Sequence, residues 1–294
     1  MQIKGLEEKV AQVNEMISRT KAWIREPLIW EPFYKGFEYQ FCWSSNYLEG
    51  NTLSLDETIA VLDYDEVRSG HSYQEYSEAK NLFSAIKHLN VSGQEIREQW
   101  IKAVNSIILT GNADSGQYRG INLYIGTVAE AVYYPPEFKL VSGLMSQYME
   151  EIKDIPTGRT LERIAELHMR FEQIHPFRDG NGRTGRMILN QQLLNAGYLP
   201  ITINDKSKYR QALLDFDRTG GTDIMTYLFV KGQKKSFEQL QDCGNRRHSI
   251  EAMTDLTEKN RPWPMRCCWS MMSGSQTYNK AIKRKKWKKY CKQW

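Results

Sequence analysis

A chain of 294 residues with 40% hydrophobic content can bury one sizeable core, alone or with an appendage. No apolar stretch approaches membrane-spanning length, and Met1-Gln2-Ile3-Lys4-Gly5 opens without a secretory run, so a cytoplasmic location with no membrane partner is expected. The five cysteines lack C-x-x-C spacing and are expected as unpaired thiols, and the formal charge of +5 is unevenly spread. Eleven Lys or Arg and no acidic residue lie from Lys259 onward, which leaves −6 on the residues before it.

Residues 2–26 place Ile3, Leu6, Val10, Val13, Ile17 and Ile24 at helical spacing among charges, which predicts an amphipathic helix packed on the body. Pro27 and Pro32 are expected to bracket a turn rich in aromatics. Ser54-Leu55-Asp56-Glu57 is a capping box that opens a helix to about Asp65. Helical spacing returns over Tyr76–Leu89 and Ile96–Leu109, while His71 and His88, without companions at ligand spacing, are expected in solvent. Between Gly111 and Pro136 the runs Ile121–Ile125 and Ala131–Tyr134 predict a β-hairpin closed by Pro135-Pro136.

From Thr160 to Ile174 the apolar residues again recur at three- and four-residue steps, with His168 expected as a buried or supporting histidine. Pro176 should end that helix, because proline disfavours the helical backbone at the residue before it, His175. Helical period resumes at Met187-Ile188-Leu189, with Gly197 as terminator. Between the two helices stands His175-Pro-Phe-Arg-Asp-Gly-Asn-Gly-Arg-Thr-Gly-Arg186. Gly180, Asn181 and Gly182 can aim backbone N–H groups inward, and the following helix adds its positive end, so an anion should settle there. Arg183 and Arg186 can grip phosphate oxygens, Asp179 suits Mg²⁺, and His175 is left as the base. A helix C-terminus favours protonated histidine, and the net direction for His175 stays open. A short link, Ile201–Ile203, leads into a helix over Lys206–Phe216, and a last helix runs roughly from Asp223 to Leu240. Gly180, Gly182 and Gly185 also spell a dinucleotide fingerprint, but that motif needs a preceding strand where this sequence predicts a helix.

With every fixed position of His-x-Phe-x-(Asp/Glu)-Gly-Asn-Gly-Arg-x-x-Arg filled, the loop resembles the signature of the Fic domain. The resemblance implies a mainly α fold, a Fic-type helical bundle with a β-hairpin flap beside the active-site loop. It implies an adenylyltransferase that moves AMP from ATP to a Ser, Thr or Tyr hydroxyl of a target protein, releasing pyrophosphate. His175 would deprotonate the hydroxyl, and Asp179 would hold Mg²⁺. Gly180, Asn181 and Gly182 would hold the α- and β-phosphates, Arg183 and Arg186 would neutralise the tail, Phe177 would anchor the loop and Tyr209 would lie near the adenine. Ser45-Asn-Tyr-Leu-Glu49-Gly50 also fits the (Ser/Thr)-x-x-x-Glu-(Gly/Asn) pattern of Fic inhibitory helices. Glu49 lies one turn beyond Ser45 and can pair with Arg186, denying it to the γ-phosphate.

These readings divide the chain into a helical region with the inhibitory helix (1–95), a Fic core (96–240) and a basic, disordered tail (241–294). The alternatives are another reaction on the same fold, UMP transfer or AMP removal, and a nucleic-acid-binding regulator using the tail, with nucleic acid the less favoured partner. Self-modification and a homodimer stay open.

Overall fold

The computed structural model describes residues 3–126, 131–156 and 158–259, with side chains omitted for 131–132 and 248–259. The expectations for residues 260–294 lie outside the described residues. The chain splits into a unit that ends at Gly244 and a second that begins at Asn245, and from the second only helical residues to Lys259 are described. Among the described residues no helix is long and apolar enough to cross a membrane.

The fold is mainly α, with helices α1 (Leu6–Ile24), α2 (Pro27–Glu49), α3 (Leu55–Tyr64), α4 (Tyr73–Ile86) and α5 (Glu98–Ile108) before a two-stranded ribbon. After β1 (Ile125–Gly126) and β2 (Ala131–Tyr133) come α6 (Val141–Glu151), α7 (Thr160–Ile174), α8 (Asn181–Asn195), α9 (Lys206–Thr219) and α10 (Asp223–Lys259). The last helix therefore continues well past Leu240. Helix α6 has no counterpart among the expected elements, although Val141, Met145, Tyr148 and Ile152 are buried at helical spacing.

At α2 the sequence-based expectation fails. Pro27 sits at the first helical position, where its missing N–H costs nothing. Pro32, expected to close a turn, lies inside the helix. The carbonyl it leaves without an intrahelical donor belongs to Leu28, which is 63% exposed and open to water. The packing of the buried face offsets the local penalty: Ile29, Phe33, Phe37, Phe41 and Ser45 are all buried, at steps of four residues. Steps of four form one ridge of a helix, so the ridge that packs α2 carries Glu49 at its next step. Gly50, at φ 107°, then ends the helix.

The capping box of Ser54 and Glu57 opens α3 as expected, and a second box, Ser72 with Glu75, opens α4. His71 corrects the expectation of a solvated side chain. It is half-buried between the two caps, with Nε2 3.2 Å from Glu57 Oε1 and Nδ1 3.0 Å from Thr52 Oγ1. The strands are shorter than the expected runs. The Ile121 carbonyl accepts from Arg119, and the Asn122 side chain accepts from the Phe138 amide, so this stem is held by side chains and not by a ladder.

Helices α7 and α8 form the centre. Helix α8 is buried on all sides, and two of its polar side chains tie it to its neighbours: Asn190 exchanges bonds with the Ile201 backbone (2.7 and 3.2 Å), and Gln191 with Asn90 (2.9 and 3.1 Å). A helix pinned on every side fixes the loop before it. Gly116 brings the ribbon's approach onto α5, because at φ 70° it lies where a Cβ would meet Lys102 O at 2.8 Å and Ser106 Cβ at 2.9 Å.

Gly116→Ala should therefore cost about 2 kcal/mol, overpacking adding to left-handed strain, and lower Tm by roughly 4–8 °C. Gly111→Ala, also at positive φ but with nothing within 4 Å, should cost less. Equal losses in thermal unfolding would contradict the close approach.

Candidate active site

The site is built where α7 stops and α8 starts. His175 caps α7 in the left-handed region, φ 48° and ψ 59°, with its amide bonded to Phe171 O at 3.0 Å. Pro176 explains this, since its ring denies His175 a right-handed turn; a non-glycine residue there costs about 1–2 kcal/mol. Phe177 is fully buried and packs against Tyr118, the rings tilted at 51° with centroids 5.5 Å apart. The Asn181 amide clasps it twice, accepting from Phe177 N and donating to Phe177 O, both at 2.8 Å. The Asn181 side chain is thus spent on closing the loop, and its backbone N–H stays in the first turn of α8.

Gly180, at φ 72°, is the N-cap of α8, and a Cβ there would press on Asn105 Nδ2 at 3.1 Å. Asn105 is a fully buried hub: its Nδ2 donates to Asp179 O (3.1 Å) and Thr184 Oγ1 (3.2 Å), and its Oδ1 accepts from Gly116 N (3.0 Å). Asp179 itself keeps 58% of its side chain exposed at the mouth of the loop. The first N–H groups of α8 have no intrahelical acceptor, so they face this mouth as an anion nest.

Ser45, Glu49 and Arg186 meet at one point. Arg186 is buried; its Nε donates to Ser45 Oγ (2.8 Å), and its Nη2 donates to Ser45 O (2.9 Å) and Glu49 Oε1 (2.6 Å). A Cβ at Gly182 would collide with that same Glu49 oxygen, so the glycine lets the carboxylate rest on the first turn of α8. Burial raises the pKa of Glu49, but the charge and hydrogen bond of Arg186, with Arg183 and His175, pull it below the ordinary carboxylate value. Arg183 is also buried, 3.5 Å from Asp179 and 3.6 Å from Glu78 on α4. A cavity of about 450 Å³ reaches this pair, lined by Gln74, Glu78, Asn81, Thr110, Asp179 and Arg183.

His175 Nδ1 lies 3.3 Å from the Glu172 carbonyl, which can only accept, so Nδ1 carries the proton and Nε2 is the basic nitrogen. Burial lowers the pKa of His175 below its ordinary value and Arg119 adds to this, against the Glu172 carbonyl, Glu49 and Asp179. Burial outweighs the helix terminus here, and the neutral imidazole is favoured.

Tyr209 is buried behind Arg186, with its hydroxyl 2.7 Å from His168 Nε2 and 3.4 Å from Glu172 Oε1 and its ring 5.7 Å from the Arg186 guanidinium. His168 is pushed down to about 3 by burial, and Glu172 is pushed up to about 7 by burial against the opposing pull of Arg186. The Glu172 carboxylate packs on Gly185, where a Cβ would approach it to 2.6 Å. An open cavity of about 970 Å³ lies beside this cluster's helix, lined by Tyr47, Asn204, Lys206, Arg210, Leu214 and Arg218.

Sequence reasoning missed Asn105, Arg119, Glu78 and Glu172. Asn105 alone left a local signal, an amide on the buried stripe of Ile101, Val104 and Ile108.

A model of the Fic/DOC family matches residues 95–193. The protein adenylyltransferase fic-1 of Caenorhabditis elegans is 33% identical over 173 residues, covering 53% of this chain and 32% of that protein. The protein adenylyltransferase Fic of Drosophila erecta is 31% identical over 180 residues, 58% of this chain and 35% of that protein. The chain thus spans about a third of the length of these curated relatives. A crystal structure of a Fic-domain signalling protein from Bacteroides thetaiotaomicron superposes with TM-score 0.71 at 24% identity, covering 79% of this chain and 97% of that one. Fic-1 of C. elegans (aa134–508) gives 0.68 at 23% identity, covering 80% and 71%.

An NMR titration should find His175 losing its charge below pH 6.5, and His168 neutral down to about pH 3. Because the Glu49 carboxylate raises the His175 pKa, Glu49→Gln should move the His175 titration to still lower pH. An upward move would contradict this arrangement.

Proposed function

From a chain that carries a Fic domain, we propose an auto-inhibited protein adenylyltransferase that moves AMP from ATP to a Ser, Thr or Tyr hydroxyl of a target protein. One observation carries the reading: a carboxylate oxygen of Glu49 lies on the first turn of α8, 2.6 Å from Arg186 Nη2. That oxygen stands in for a terminal phosphate oxygen, since the buried guanidinium and the helix N-terminus favour the same charge in the same place.

The residues divide the reaction between them. The first-turn N–H groups of Asn181, Gly182 and Arg183 would take the inner phosphates, and Arg183 and Arg186 the outer ones. His175 Nε2 would accept the proton of the target hydroxyl as its oxygen attacks the α-phosphorus, and pyrophosphate would leave. Asp179 fits Mg²⁺: it is an exposed carboxylate at the phosphate cradle, and that ion binds through one or two carboxylates plus phosphates and water. The bound ion would supply neutralising charge for the departing pyrophosphate. The hydroxyl of Tyr209 is committed to His168, so Tyr209 would support Arg186 from behind and meet the base only along its small exposed edge.

Ser45 and Glu49 would inhibit by holding Arg186 in place of the nucleotide. A charge-assisted contact of this kind, about 1.5–3 kcal/mol, corresponds to a ten- to hundredfold effect. Glu49→Gly should therefore raise labelling of protein by α-³²P-labelled ATP roughly ten- to a hundredfold, with labelled UTP and CTP as competing donors. Preferential labelling from UTP would replace AMP by UMP transfer, and unchanged labelling would remove the inhibitory role. In the same background His175→Ala should abolish labelling while calorimetric ATP binding stays within about twofold. Surviving labelling would take the base role from His175.

A further inference from the structure

We infer that Arg119 is a positioning residue for this reaction, one guanidinium holding the backbone of His175 and both stems of the β-ribbon in a fixed relation. Arg119 is 4% exposed and stands just before the ribbon. Its Nε donates to His175 O at 2.9 Å, and its Nη2 reaches Ile174 O at 3.5 Å. On the ribbon side Nη1 donates to Ile121 O at 3.0 Å and Nη2 to Pro136 O at 2.5 Å. Its own amide donates to Pro176 O at 2.9 Å.

Each of these acceptors needs an external donor. Ile174 and His175 carry carbonyls from the end of α7, which no further helical turn can satisfy, and the negative end of a helix favours a cation there. The residue after His175 is Pro176, which has no N–H to offer a neighbour. Ile121 and Pro136 flank the ribbon, where the ladder is too short to reach them. Only the planar fork of arginine can bridge four such carbonyls, since lysine has three donors on a single atom. Among the described residues no carboxylate within 4 Å accompanies this buried cation, so its bonds go to backbone alone.

The inference rests on the proposed transfer reaction. A target strand that adds to the ribbon edge would be set against His175 by the spacing Arg119 fixes. The left-handed backbone of His175 is held open by its bonds, and losing the donor to its carbonyl frees it to relax. Misplacement of a catalytic group by about 1 Å costs on the order of a hundredfold in rate.

The test uses the full chain with Glu49→Gly as parent, comparing Arg119→Lys and Arg119→Gln. Arg119→Gln should lower kcat for labelling about a hundredfold with KM for ATP and calorimetric ATP affinity within about twofold, and Arg119→Lys should recover part of that loss. A kcat within twofold of the parent, or a parallel loss of ATP affinity, would overturn the positioning role. Hydrogen exchange reads the same role without any activity. In Arg119→Lys the amides of His175, bonded to Phe171, and of Phe138, bonded to Asn122, should exchange faster together, by about tenfold. Acceleration at Phe138 with His175 still protected would overturn the coupling, even if the parent failed to transfer AMP.

Discussion

A buried arginine must find acceptors for its guanidinium, and in this protein the demand of Arg186, met in part by a carboxylate, shapes the ground state of the site. Its guanidinium takes the hydroxyl and carbonyl of Ser45 and the carboxylate of Glu49, at 2.6–2.9 Å, with the Tyr209 ring alongside. Burial pushes Glu172 up to about 7 while Arg186 holds Glu49 below the ordinary carboxylate value, so Glu49 is the stronger partner. The contact joins residues 137 apart in the chain: Glu49 ends the ridge that packs α2, and Arg186 lies in the first turns of a helix buried on all sides. Neither can drift without loosening the core. An anion that takes Arg186 must therefore displace a charge held by the fold itself.

The same economy governs the loop between α7 and α8. Pro176 forbids a helical backbone at His175, Asn181 clasps Phe177, and Asn105 ties Asp179 to both Thr184 and Gly116. The imidazole is left with Nδ1 on a carbonyl and Nε2 as its basic nitrogen, in surroundings that favour its neutral form. The first-turn N–H groups of α8, the imidazole and the exposed Asp179 are fixed by different bonds, so the loop is preorganised in the absence of any ligand.

What could be read in advance followed the range of the interaction. The α7–loop–α8 unit was legible because its determinants are local: a proline after a histidine, a glycine at the cap, apolar steps of three and four. The step of four residues between Ser45 and Glu49 was legible too, and it carries on the spacing of Phe33, Phe37 and Phe41. Pro32 misled, because a local rule lost to a buried ridge five turns long. Helix α6 was overlooked despite an ordinary apolar stripe, and the hairpin was drawn too long because side-chain bonds replace its ladder. Asn105 left only its amide on a buried stripe as a signal and Arg119 none, since the loop carbonyls they hold, of Asp179 and His175, lie 74 and 56 residues away.

The central claim is that the Glu49 carboxylate and the outermost phosphate of a nucleotide compete for Arg186. Calorimetry of ATP and of AMP, each with Mg²⁺, on the native chain and on Glu49→Gln tests it most directly. Competition requires ATP affinity to rise about ten- to a hundredfold in the variant while AMP affinity stays the same, because AMP lacks the phosphate that reaches the guanidinium. An equal gain for both nucleotides, or none for either, would contradict it.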